Sequence, residues 1–288
     1  MTYPYQESFF SSFDGTKLYC REVGNPNAPL LLMIHGACTD ADCFKDTAEY
    51  LAKSFHVITY DRRGCARSEL LPEKMLEDVL EDETLKHSSV LSPENIMKTH
   101  VEDAVAVIHR FDEEALVIGH SLGGALSLKL AELHPECVER MVLHEPVSPS
   151  RRREGSSVFH TIKEAQQAYL SGDMPKAFGI FSSLAGENDP RGRLATEEEF
   201  NNIGPDSILF FEYDLPALMD TFTLDTESLN KVPFTIGVGE YSKGQSLYEE
   251  TLAFAEQLQS TIRYFPGSHN CCFDLPFEFA ALCTAMLI

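Results

Sequence analysis

The chain is poor in positive charge: 23 Lys and Arg stand against 45 Asp and Glu, for a net charge of −22 at pH 7. A field of that sign repels phosphate backbones and anionic lipid headgroups, so neither nucleic acid nor a membrane surface is expected as a partner. No run of about eighteen apolar residues is present, which argues against a transmembrane helix. The first ten residues, MTYPYQESFF, lack both the basic start and the apolar centre of a secretory signal. A cytoplasmic location is the expectation. The eight cysteines lack zinc or redox spacing, since Cys271 and Cys272 are adjacent and Cys20, Cys38, Cys43, Cys65, Cys137 and Cys283 are scattered. They read as free, mostly buried thiols in a reducing compartment. Internal repeats and low-complexity segments are also missing.

What is there suits a large core: 43% of the 288 residues are hydrophobic, enough for one α/β domain or a core with a smaller insertion. Residues 7–23 read as two strands turning at Asp14-Gly15, a dipeptide favoured in hairpins. PLLLMIHG at 29–36 is apolar without alternation, as in a strand covered on both faces. A helix is predicted over 41–54 and a strand over 55–61. Strands at 115–118, 138–145, 234–240 and 261–265 then alternate with helices at 93–110, 121–134, 246–258 and 276–287. The pattern predicts an α/β fold: a mostly parallel sheet of about eight strands with helices on both faces.

Two segments interrupt it. Residues 69–92 include LEDVLEDE, which reads as a short solvated surface helix. Residues 146–230 open with Arg151-Arg152-Arg153 and read mostly as helix. They are expected to form a helical cap inserted in a core made of 1–145 and 231–288. A cap above the C-terminal strand ends would roof the pocket and choose the substrate. The three arginines read as solvated charges at the cap hinge.

The chemistry centres on ALVIGHSLGGALSLKLAEL at 115–133, an apolar strand run followed by helically spaced Ala125, Leu128 and Leu133. Gly119-His120-Ser121-Leu122-Gly123 lies at the junction. A G-x-S-x-G in that position is the nucleophile-elbow pattern, whose tight turn strains the serine and exposes its hydroxyl. A side chain at either glycine would collide with the neighbouring strand or helix. Ser121 needs a base, and His269 is chosen because it lies in the loop between a strand and the C-terminal helix. His120 reads as structural. His35, His120 and His144 each end a predicted strand, and three histidines converging on one edge are the alternative of a metal cluster. No carboxylate or cysteine joins them at ligand spacing, so they read as satisfied buried histidines and no metal or cofactor is expected.

With HGAC at 35–38, DRRGCARS at 61–68, GHSLGG at 119–124, LHEP at 143–146 and GSHNCCFDLPFEF at 267–279, the chain resembles the α/β-hydrolase fold superfamily, in particular its cap-bearing esterases, lactonases and peptidases. The resemblance implies an oxyanion hole made by the backbone N–H groups of Ala37 and Leu122. It also implies a triad acid, and here the sequence departs from the pattern. Members of the family usually carry an aspartate shortly after the seventh strand, where this chain has Ser242 after Glu240-Tyr241. Glu145, 24 residues after Ser121 and just before Pro146, is preferred on reach, with Glu240 the main alternative and Asp220 and Asp225 behind it. Asp61 and Arg62 read as loop braces.

The resulting expectation is a serine hydrolase acting on a small-molecule ester or lactone. A serine at the elbow disfavours the epoxide hydrolase and haloalkane dehalogenase branches, which need a carboxylate there. Amide cleavage, carbon–carbon hydrolysis, acyl transfer and a non-catalytic receptor role on the same fold stay open, as does a homodimer.

Overall fold

Two antiparallel strands begin the sheet, β1 (Gln6–Ser11) and β2 (Lys17–Gly24), joined by a turn in which Gly15 takes φ 91°. The structure is a computed structural model that describes residues 4–72, 91–148, 157–184 and 208–288. The remaining strands are β3 (Leu30–Ile34), β4 (His56–Tyr60), β5 (Ala115–His120), β6 (Val138–His144), β7 (Phe234–Gly239) and β8 (Thr261–Phe265). They form one sheet in the order β1-β2-β4-β3-β5-β6-β7-β8. β2 meets β4 antiparallel, and every pairing from β4 to β8 is parallel.

The helices are α1 (Lys45–Leu51), α2 (Ile96–Phe111), α3 (Leu122–Leu133), α4 (Ser157–Leu170), α5 (Met174–Ser182), α6 (Ser246–Gln257) and α7 (Pro276–Leu287). Strand periodicity splits β3 between the two faces. Leu30, Leu32 and Ile34 join a core that includes Val101 and Ile108 of α2 and Leu126 of α3. Leu31 and Met33 join a second core with Ala48 and Leu51 of α1 and Phe279 and Cys283 of α7. All five residues of β3 are buried, and each such aliphatic side chain contributes roughly 1.5–3 kcal/mol relative to exposure. That two-sided burial places β3 and β5 centrally and explains their unbroken apolar runs.

The predicted helix over 41–54 is shorter in fact. A 3₁₀ turn, Ala41–Phe44, capped by the Asp40 side chain on the Asp42 N–H, precedes α1. Between β6 and β7 the described residues are mostly helical. α4 and α5 are followed by a helical stretch wound as π-helix at Phe210–Asp214 and Ala217–Thr221, then by the single turn Thr226–Leu229. Aromatic rings hold this insertion together: Phe181 and Phe210 lie 4.5 Å apart and Tyr169 stacks on Phe211 at 5.4 Å. The acidic run LEDVLEDE within 69–92 and Arg151-Arg152-Arg153 both lie outside the described residues.

The sheet order reverses between β3 and its neighbours, since the chain passes from β3 to β4 on one side and then to β5 on the other. In open α/β sheets the crevice beyond the strand C-termini at such a switch point is where ligands bind.

Candidate active site

Among the described residues five non-glycine positions adopt positive φ, and three of them, Cys38 (55°), Ser121 (54°) and Glu145 (42°), follow the C-terminal ends of the adjacent strands β3, β5 and β6. Strain of this kind costs on the order of 1–3 kcal/mol per residue and persists where surrounding packing enforces it. Ser121 sits between β5 and α3 with φ 54° and ψ −118°. Its N–H donates to the His144 carbonyl at 3.0 Å and its own carbonyl accepts from Val147 at 3.1 Å, so the elbow is fastened to the end of β6 and to the segment that follows it. The flanking glycines are required by close approach. A Cβ on Gly123 would lie 2.0 Å from the Ile34 carbonyl oxygen, and one on Gly119 would lie 2.4 Å from Ser127 Oγ.

Glu145 is the first residue after β6 and is fully buried. Its Oε1 accepts the Gly239 N–H at 2.9 Å and its Oε2 accepts from His269 Nδ1 at 2.8 Å. Burial alone would raise its carboxyl pKa. The hydrogen bond and charge of His269, with a further contribution from His144, overcome that and hold it at about 2. Because His269 Nδ1 donates, its Nε2 carries the lone pair and can accept a proton.

The loop that carries His269 is itself pinned. His120 Nε2 donates to the His269 carbonyl at 2.9 Å, and His144 Nε2 lies 3.2 Å from the Ser268 carbonyl as its donor. His35 donates from Nδ1 to the Gly36 carbonyl and accepts the Arg62 N–H on Nε2, both at 3.0 Å. All three histidines are thus engaged by backbone. Burial, with neighbouring positive charge, holds their pKa values below the usual histidine range. Among the described residues, the His, Cys and acid group close enough to share a metal is His134, Glu136 and Cys137. It lies past the far end of α3, about 18 Å along that helix from the elbow.

Leu122 is the first residue of α3. Its N–H therefore has no acceptor within the helix and sits at the positive end of the helix dipole. Ala37 lies in the turn after β3, half-buried beside strained Cys38. The other candidate acids are placed differently. Glu240 is exposed in the turn after β7, Asp220 is exposed in the insertion, and Asp225 caps the turn that follows it. Ser242 is fully buried, and its hydroxyl is among the groups that lower the Glu145 pKa.

The 61–68 loop is braced by charge. Asp61 accepts from the Ala41 and Arg67 backbone N–H groups and from the Arg67 guanidinium, while Arg63 bridges Asp14 and Asp103. Sequence reading missed Asp214 and His100, which close on Arg62 beneath the Ala37 turn. Arg62 itself was visible in DRRG, but no local signal connects it to an aspartate 152 residues away.

This strand order, with a strained serine between a buried strand and helix, defines an α/β hydrolase. The chain belongs to the alpha/beta hydrolase fold family, which matches residues 29–181. It is 29% identical over 256 residues to the uncharacterized hydrolase YraK of Bacillus subtilis (strain 168), covering 85% of this chain and 83% of that protein. Among solved structures it is similar to the esterase RhEst1 from Rhodococcus sp. ECU1013, with a TM-score of 0.70, 19% identity and 98% of each chain covered. A proline iminopeptidase-related protein of Thermus thermophilus gives a TM-score of 0.67 at 20% identity over 99% of each chain. Likeness at such identities is one of fold. No helix among the described residues is long and apolar enough to cross a membrane.

Proposed function

We propose that the protein is a serine hydrolase that cleaves a small-molecule ester or lactone through an acyl-enzyme on Ser121. The observation that carries this reading is the 2.8 Å bond from His269 Nδ1 to the buried Glu145 carboxylate, made at the strand end next to the elbow. His269 Nε2 takes the Ser121 proton as Oγ bonds to the acyl carbon, and the imidazolium gains the charge of Glu145 as its partner. The Ala37 and Leu122 N–H groups receive the oxyanion, and the alcohol oxygen takes the proton from His269, departing from an ester or remaining tethered to the acyl chain of an opened lactone. Water, deprotonated by the same imidazole, then attacks the acyl carbon and frees Ser121.

The helical insertion is proposed as the cap, within 146–230, over a core formed by 1–145 and 231–288. The net charge of −22 supports a small-molecule partner over a polyanionic one. A fluorophosphonate probe, followed by a panel of esters, lactones, aminoacyl amides and diketones, tests the assignment. Labelling of Ser121 and turnover of an ester or lactone are expected, both abolished by Ser121→Ala. Folded protein that takes no label, or a preference for amides or diketones, would overturn the reading at the level of mechanism or of substrate respectively.

A further inference from the structure

Arg62 occupies an unusual position for a guanidinium: it is 1% exposed, and its partner Asp214 is fully buried. One arm, Nη1, donates to Asp214 Oδ2 at 3.0 Å. The other, Nη2, donates to the Gly36 carbonyl at 3.0 Å. Asp214 also receives His100 Nε2 on Oδ1 at 2.9 Å, so both carboxylate oxygens are occupied. Burial would raise the Asp214 pKa, but the His100 and Arg62 charges hold it below the usual range. The ion pair therefore stays charged, and its orientation is fixed at both ends.

The Gly36 carbonyl is the oxygen of the peptide whose nitrogen is Ala37. In a trans peptide the C=O and the N–H point in opposite directions, so anchoring the oxygen inward aims the Ala37 N–H outward. His35 Nδ1 reaches the same oxygen at 3.0 Å. A neutral His35 also accepts the Arg62 backbone N–H at 3.0 Å, which closes a ring of bonds from β3 to the loop after β4. Cys38, one residue on, is strained at φ 55°, so the turn needs such external support to hold its shape. The Arg62 guanidinium charge held against Gly36 O further polarises the peptide and strengthens its N–H as a donor.

We propose that Arg62 is a positioning residue that aims the Ala37 N–H at the acyl oxygen, and that Asp214, reaching in from the helical insertion, makes this aim depend on how the insertion is seated. The inference rests on the serine hydrolase reading and adds a link between substrate cover and oxyanion stabilisation. A substrate that seats the insertion would complete the oxyanion hole, and one that does not would meet a loosened donor.

The test uses a fluorophosphonate, in which Ser121 Oγ bonds to phosphorus, the P–F bond breaks, fluoride leaves and the hydroxyl proton passes to His269. The phosphoryl oxygen takes the oxyanion position. Inactivation is followed in the wild type, Arg62→Lys, Asp214→Asn and the double variant Arg62→Met/Asp214→Leu, which removes both charges together so that neither is left unpaired. The maximal inactivation rate is expected to fall about ten- to a hundred-fold, less than or equal to the loss of a whole oxyanion donor, with the probe's half-saturating concentration within about twofold. A merely structural role would lower the unfolding midpoint without this split. Wild-type inactivation rates in the folded variants, or a loss confined to half-saturation, overturn the inference while leaving the hydrolase reading intact. An unlabelled wild type overturns both.

Discussion

The ends of β6 and β7 lie side by side, with His144 paired to Gly237, yet they contribute opposite things. β6 delivers a buried carboxylate on a residue at φ 42°. β7 delivers a backbone N–H from Gly239 to that same carboxylate, then an exposed Glu240 and a buried Ser242. His269 follows β8, two strands from β6, so the Glu145 side chain must cross the end of β7 to reach it. Gly239 lets the loop that carries His269 come close to the end of β7, since a Cβ there would lie 2.5 Å from the Gly267 carbonyl oxygen. Under the proposed mechanism, the contrast teaches that the acid's place would be decided by whether a buried carboxylate can reach His269 Nδ1. The strand that bears it is secondary.

The largest effect expected of this contrast is on turnover. Glu145→Gln would present an amide to His269 Nδ1, favouring the tautomer whose Nε2 is already protonated and unable to take the Ser121 proton. The acylation rate is expected to fall about 10³–10⁴-fold, and Glu240→Gln to stay within about twofold. Stopped-flow acylation of both variants checks this, and the reverse ranking would move the acid to β7.

A smaller effect sharpens the comparison. Ser242 is buried, and its Oγ would lie 2.9 Å from a Cβ placed on Gly239, close beside the path of Glu145. A carboxylate at 242 on a chain shortened at 145 therefore has room and a partner. Glu145→Ala/Ser242→Asp is expected to recover at least about tenfold of the rate lost in Glu145→Ala, a gain of about 1.4 kcal/mol in transition-state stabilisation. No recovery in folded protein would mean that the end of β7 cannot host the acid.

Much of this was legible in the chain itself, for identifiable reasons. The strand over 261–265 and the helix over 276–287 coincide with β8 and α7, because each is bounded by turn residues, Phe265-Pro266-Gly267 after the strand and Leu275-Pro276 before the helix. The strand–serine–helix junction at 115–133 is carried by contiguous residues, whereas the clash that forces Gly123 comes from the Ile34 carbonyl of β3 and shows only in the fold. His269, chosen for its loop before the C-terminal helix, and Glu145, preferred on reach, meet at 2.8 Å. What could not be read was long-range pairing inside the insertion. Asp214 lies in a π-wound segment, FFEYD, whose pattern says helix and nothing about Arg62. Likewise Ser242 reads as the absence of an acid, and only the fold places it beside Glu145.

The smallest expected effect concerns proton uptake by the buried histidines, His144 at the end of β6 among them. His35, His120 and His144 are buried, and burial with nearby positive charge depresses their pKa values. As pH falls below about 6.5 the unfolded chain binds protons that the folded chain refuses, so the stability present above that pH is lost on acidification. Each such histidine contributes up to about 1.4 kcal/mol per pH unit. The Glu145 carboxyl, held at about 2, stays ionised throughout this range and adds nothing to the slope near pH 6. Urea unfolding between about pH 7 and 5.5 is expected to show a slope that His144→Asn reduces by up to about 1.4 kcal/mol per pH unit. An unaltered slope in His144→Asn would mean that the ring is protonated as readily in the folded chain as in the unfolded one, and the end of β6 would then be wetter than its packing against Phe265 and Phe279 implies.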